Sequence, residues 1–136
     1  MRRIGVVVVM AACLLAARGM QTRSSGNTVT IEMIGSSSGY AFKPSNVTIK
    51  VGDAVKFVMV SGGPHNVTFD PQGIPAGSQA TLQANMPTPM MPLTGPLLSA
   101  DNATYTVSFA GAKPGSYRFY CLPHQSLNMQ GTITVE

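Results

Sequence analysis

The chain has no tryptophan, only two histidines and two cysteines, and little charge: Asp, Glu, Lys and Arg make up 10% of its 136 residues. Each scarcity excludes something. With so few cations there is no basic cluster interleaved with aromatics, so no nucleic-acid surface is expected. No heptad, internal repeat or convincing amphipathic helix is present, which argues against coiled coils and solenoids. No strand-to-helix nucleophile elbow accompanies the few histidines, so Ser/His/Asp hydrolysis finds no support. The one long apolar run, Ile4 to Ala17, is too short for a confident membrane span.

That run belongs to a terminal segment with its own logic. Arg2 and Arg3 precede it and small residues close it, so residues 1–19 read as an export signal cleaved after Gly19, with a periplasmic destination. The formal net charge of +4 is largely a product of that segment. Without it, six Lys and Arg face five Asp and Glu, a net +1. A second reading takes Ala11-Ala12-Cys13 as a lipoprotein-type cleavage site. That would anchor the chain by lipid to the outer face of a membrane, and membrane association is expected only by that route. Otherwise Cys13 is a small apolar residue in the discarded peptide. The exported chain then keeps one cysteine, Cys121, and no internal disulfide is possible. A lone thiol in an exported protein calls for another use, and metal ligation supplies one.

Residues 20–27 are small and polar and read as a flexible linker, leaving residues 28–136 as a single domain. Val, Thr, Ser, Gly and Pro are plentiful there. Alternating apolar and polar residues mark strands at Thr28–Ile34, Val47–Val51, Ala54–Val60, Tyr105–Phe109, Tyr117–Cys121 and Gly131–Val135. Gly35–Gly39 is expected to break the first of them. Between Pro71 and Asn102 six prolines exclude long regular elements, and Ser78–Asn85 is left with one helical turn or a short edge strand. The pattern predicts an all-β protein, an antiparallel β-sandwich of seven or eight short strands with a Pro/Met-rich irregular segment.

The chemistry concentrates near the end. Tyr120-Cys121-Leu122-Pro123-His124 and Met129 bring a thiol, an imidazole and a thioether within nine residues. The other histidine, His65, sits in Gly63-Pro64-His65-Asn66-Val67. Taken singly, each has an ordinary explanation: a buried thiol, a turn histidine, a core methionine. Together they are the donor set of a one-electron copper site, two imidazoles and a thiolate with a weak axial thioether. Zinc is the chemical competitor, but structural zinc gains little from a thioether, and no Cys-x-x-Cys knuckle is present. The expected ligands are His65, Cys121, His124 and Met129, around a single copper ion.

The same residues resemble the plastocyanin-like small blue copper proteins, the cupredoxins. Their ligand loop reads Tyr-Cys-x-Pro-His, four residues, then Met-x-Gly, as do Tyr120–His124 and Met129-Gln130-Gly131. Pro64-His65-Asn66-Val67-Thr68-Phe69-Asp70 is similar to the family's upstream histidine motif, and Phe42-x-Pro44 with its following strand also corresponds. The resemblance runs over about residues 28 to 136. It implies a Greek-key sandwich of eight strands with copper at one end. The Cys–His and His–Met gaps resemble plastocyanin more than azurin or amicyanin. Only seven residues follow Met129, too few for pseudoazurin's two terminal helices.

The resemblance further implies that Asn66 hydrogen-bonds across to the Cys121 loop. Pro64 and Pro123 stiffen the ligand loops, His124 serves a short electron path, and Tyr120 serves a remote one. Plant plastocyanins carry acidic patches; here only Asp70 and Asp101 lie in the comparable region.

The expected function is a soluble, monomeric one-electron carrier that meets other redox proteins transiently. Enzymatic copper chemistry is not expected, since no histidines remain for a substrate-binding copper. The alternative is a copper delivery or storage module, to which Met86, Met90 and Met91 would contribute thioethers selective for Cu(I).

Overall fold

The computed structural model describes residues 26–136. The export signal, the Cys13 alternative and most of the linker lie outside the described residues. Among the described residues eight strands form: β1 (Thr28–Ser36), β2 (Gly39–Lys43), β3 (Asn46–Ile49), β4 (Ala54–Met59), β5 (Thr68–Phe69), β6 (Thr104–Ser108), β7 (Gly115–Tyr120) and β8 (Gln130–Val135). One sheet runs β2-β1-β4-β6 and the other β3-β8-β7-β5. This is the expected two-layer all-β sandwich.

Its core follows from the period of two. In β4, Val55, Phe57 and Met59 point inward while Ala54, Lys56 and Val58 are only partly covered. From the other sheet, Tyr117 and Phe119 of β7 point back at them. Phe57 and Phe119 meet edge-to-face at 5.4 Å, and Phe42 packs on Phe119 at 4.8 Å. Such edge-on pairs add to the burial of area that holds the sheets together.

Two features depart from the sequence reading. The ladders are not all antiparallel: β1 pairs with β4 in parallel, and so do β3 and β8. The chain leaves each sheet for the other before returning beside its earlier strand, and such a crossover permits a parallel pair. The expected break at Gly35 also comes later. β1 continues through Gly35 and Ser36, which pair with Tyr40 and Gly39, so the turn is confined to Ser37 and Ser38. A glycine ends a strand only where its neighbours lose their cross-strand partners, and here they keep them.

In the proline-rich stretch one short helix forms, α1 (Gln79–Ala84), whose Leu82 is buried. The Gln83 side-chain oxygen accepts from the Leu93 N–H, and Tyr105 donates its hydroxyl to the Pro87 carbonyl at 2.9 Å. An irregular backbone thus finds side-chain partners where no ladder is available. Among the described residues no helix is long and apolar enough to cross a membrane.

Candidate metal centre

Two loops at one end of the sandwich carry the site. The first, between β4 and β5, is Ser61-Gly62-Gly63-Pro64-His65. Gly62 has φ of +71°, and a Cβ there would lie 2.4 Å from the Cα of Gly35, so only glycine lets this loop lie against β1. His65 is then pinned on both sides of its backbone. Its N–H donates to the Leu98 carbonyl at 3.0 Å, and the Leu98 N–H donates back at 2.7 Å. The second loop leaves β7 at Cys121, makes a 3-10 segment over Leu122–Leu127, and turns at Asn128, which takes the left-handed conformation. The Cys121 N–H donates to the Met129 carbonyl at 2.9 Å, closing this loop at its base.

Three side chains converge between the loops. His65 Nδ1 and His124 Nδ1 are 3.2 Å apart, and Cys121 Sγ lies 3.7 Å from the first and 3.4 Å from the second. A point equidistant from the corners of that triangle is about 2.0 Å from each, within the ~2.0–2.3 Å at which imidazole and thiolate bind a transition ion. Orientation supports the fit. The His65 Nε2 faces the Ser61 carbonyl at 2.8 Å, and a carbonyl only accepts. Nε2 therefore carries the proton, and Nδ1 turns its lone pair into the cluster, as a metal-binding histidine requires.

Electrostatics agree. Burial lowers the His65 pKa against the pull of the Ser61 carbonyl, and the nearby His124 lowers it further, so the ring is held neutral. Burial pushes the Cys121 thiol up, opposed by hydrogen bonds from the backbone N–H groups of Asn66 and His124. A thiol kept protonated by its surroundings gives up its proton to a cation that replaces it. His65 and Cys121 are fully buried, whereas His124 is only partly covered. Met129 is also fully buried, with its backbone bonded to Cys121 and to His124. The donor set fits one copper ion, with two imidazoles and a soft thiolate.

The bridge expected of Asn66 is present. Its Oδ1 accepts from the Leu122 N–H at 2.9 Å, and its Nδ2 donates to the Gly95 carbonyl at 3.4 Å. Tyr120 lines a polar cleft of about 540 Å³ with Arg118, Asp70, Gln125 and Gln130. Of the methionines considered above, Met86 is buried in the core, while Met90 and Met91 are about half exposed. Sequence reasoning passed over Tyr40 and Ser61. The Tyr40 ring stacks on His124 with centroids 3.9 Å apart. Only strand register brings it there, and the one available signal was the glycine beside it.

Residues 29–136 match the family described as copper binding proteins, plastocyanin/azurin family. The chain is 37% identical to plastocyanin of Prochlorothrix hollandica over 133 residues, 98% of this chain and 89% of that one. It is 36% identical to the chloroplastic plastocyanin of Physcomitrium patens over 124 residues, 91% of this chain and 67% of that one. The solved structure of oxidized plastocyanin from Dryopteris crassirhizoma superposes with a TM-score of 0.61 at 34% identity, covering 79% of this chain and all of that one. The chain therefore belongs to the plastocyanin/azurin family, and it is a small copper-binding protein of the electron-carrier class, not an enzyme.

Proposed function

We propose that His65, Cys121, His124 and Met129 hold one copper ion, and that the chain carries single electrons between other redox proteins in an exported, periplasmic compartment. The observation that carries this reading is the triangle of two Nδ1 atoms and one Sγ, with the His65 lone pair turned into it by the Ser61 carbonyl. Bound copper supplies a Cu(I)/Cu(II) couple. The protein's part is to keep the donors fixed, so that little moves when the charge changes. Asn66 joins the two ligand loops, and the Cys121–Met129 bond closes the second. Met129 would be the fourth, weakly bound donor, since it is buried and its backbone is tied to both Cys121 and His124.

Electron exchange is assigned to the partly covered His124. Around it Leu122 and Leu127 are 37% and 54% exposed, and Pro123 is exposed too. None carries charge, so a partner can approach closely without burying an unpaired ion. Electron-transfer encounters of this kind use small interfaces, under about 1,200 Å². Tyr120 would serve a second route through its polar cleft, where Arg118 and Asp70 pair and cancel.

The reading is tested by loading the exported chain with copper and recording its visible spectrum. One copper per chain and an intense thiolate-to-Cu(II) band are expected. Cys121→Ser should remove the colour and keep the fold; a Cys121→Ser protein that stays blue would overturn the assignment.

A further inference from the structure

We propose that the residue pair Gly35–Tyr40, at the turn end of the β1–β2 hairpin, braces both imidazoles at once, with Ser61 and Tyr40 acting as positioning residues. The inference rests on the copper-site reading above and concerns what aims the rings before any metal arrives.

The two arms of the brace start from one place. Gly35 and Tyr40 face each other across the hairpin. On the first arm, the Ser61 hydroxyl grips the Gly35 peptide, accepting from its N–H at 3.3 Å and donating to its carbonyl at 3.1 Å. The carbonyl of the same Ser61 receives the His65 Nε2–H. On the second arm, the Tyr40 ring lies over His124 at an interplanar angle of 15°, and meets His65 edge-on with centroids 6.2 Å apart. A Cβ on Gly35 would lie 2.6 Å from the Tyr40 ring and 3.0 Å from the Gly62 Cα. The bare glycine therefore makes room for both arms.

The chemistry needs such a device. An imidazole can turn about its side-chain bonds, and a ring that turns must be re-aimed each time the metal is captured. His65 is fixed through a hydrogen bond and His124 through a stacked face. Asn66 ties the loops to each other but touches neither ring's orientation. Neither Ser61 nor Tyr40 contributes a donor atom, so each acts through a histidine.

The test uses the exported chain without copper, observed by NMR of the histidine rings at a pH where both are neutral. The unaltered protein should give one narrow set of signals per ring, with His65 protonated on Nε2. Ser61→Ala should broaden or double the His65 set, and Tyr40→Leu the His124 set. Gly35→Ala should disturb both, while Ser61→Thr and Tyr40→Phe should keep the narrow signals. In the loaded protein, transfer of copper to a chelator should speed up about fivefold in Ser61→Ala and in Tyr40→Leu, equivalent to ~1 kcal/mol. Narrow, unmoved ring signals in Ser61→Ala and Tyr40→Leu would overturn the brace. So would Thr and Phe variants as perturbed as the Ala and Leu ones, even if Gly35→Ala failed to fold. An unaltered chain that bound no copper would instead sink the metal reading, because the ring measurement is made without copper.

Discussion

Asn66→Ala is the most informative single change. The side chain is 1% exposed and joins the two ligand loops, accepting from the Leu122 N–H at 2.9 Å and donating to the Gly95 carbonyl at 3.4 Å. Alanine strips both partners. A buried peptide group left without its hydrogen bond costs ~1–3 kcal/mol. The Gly95 bond is long, and Leu122 lies where water reaches it, so the lower half of that range applies and the sum is ~2 kcal/mol. For a domain of this size each kcal/mol moves Tm by ~4 °C, so the copper-free protein should melt ~8 °C lower. The lost bond spans 56 positions of sequence, so its removal loosens the two loops relative to each other. Copper affinity should fall with it, and the drop in Tm should be larger in the loaded protein than in the copper-free one. Calorimetry on both forms checks the magnitude, and amide exchange at Leu122 checks the site. A shift under ~2 °C in both forms, with Leu122 exchange unchanged, would refute the reasoning.

Three further outcomes are expected. Burial pushes the Tyr105 phenol from 10.0 up to about 12, so the folded state prefers the protonated ring. That contribution is complete below pH 10 and lost as the pH rises toward 12. Tyr105→Phe should therefore flatten the stability loss in this window during alkaline unfolding, and an unchanged slope would count against it. Met129→Gln should keep copper bound and lower the reduction potential, read by voltammetry; loss of the metal, or a higher potential, would refute Met129 as a weak fourth donor. Electron transfer to the native partner should slow more with Leu127→Glu than with Lys113→Gln across a salt series in stopped flow. A steep salt dependence with no effect of Leu127→Glu would move docking elsewhere.

The sandwich was legible because burial in β4 and β7 repeats every second residue, and that repeat is visible in the letters. Strand direction was not, since a period of two reads the same either way. The parallel pairing of β1 with β4 therefore appeared only in three dimensions. His65, Cys121 and His124 stood out because the chain has so few residues of these types, and the structure brings their donor atoms together. Asn66 was legible through its place beside His65. Tyr40 and Ser61 were not: each reaches a histidine through a partner set by register, and glycine at position 35 read as a terminator. Burial of the three methionines was not legible either, because sequence does not distinguish a methionine filling a core, as Met86 does, from one facing water, as Met90 and Met91 do.

A sandwich also has rims, and these bear on self-association. The outer strands are β2 and β6 of one sheet and β3 and β5 of the other, and none exceeds five residues. A long unpaired rim offers a template on which a second copy can add a strand, and many proteins block it with charge. This chain has little charge to use. It relies on brevity and cover: β3 offers four residues, the two residues of β5 are already bonded on their outer side by the Leu93–Gly95 segment, and β2 stops at Lys43 against Pro44, whose nitrogen carries no hydrogen to donate. Concentrated solutions should therefore resist growth into fibres, and lengthening β2, for example by Pro44→Val, is where that resistance should first fail.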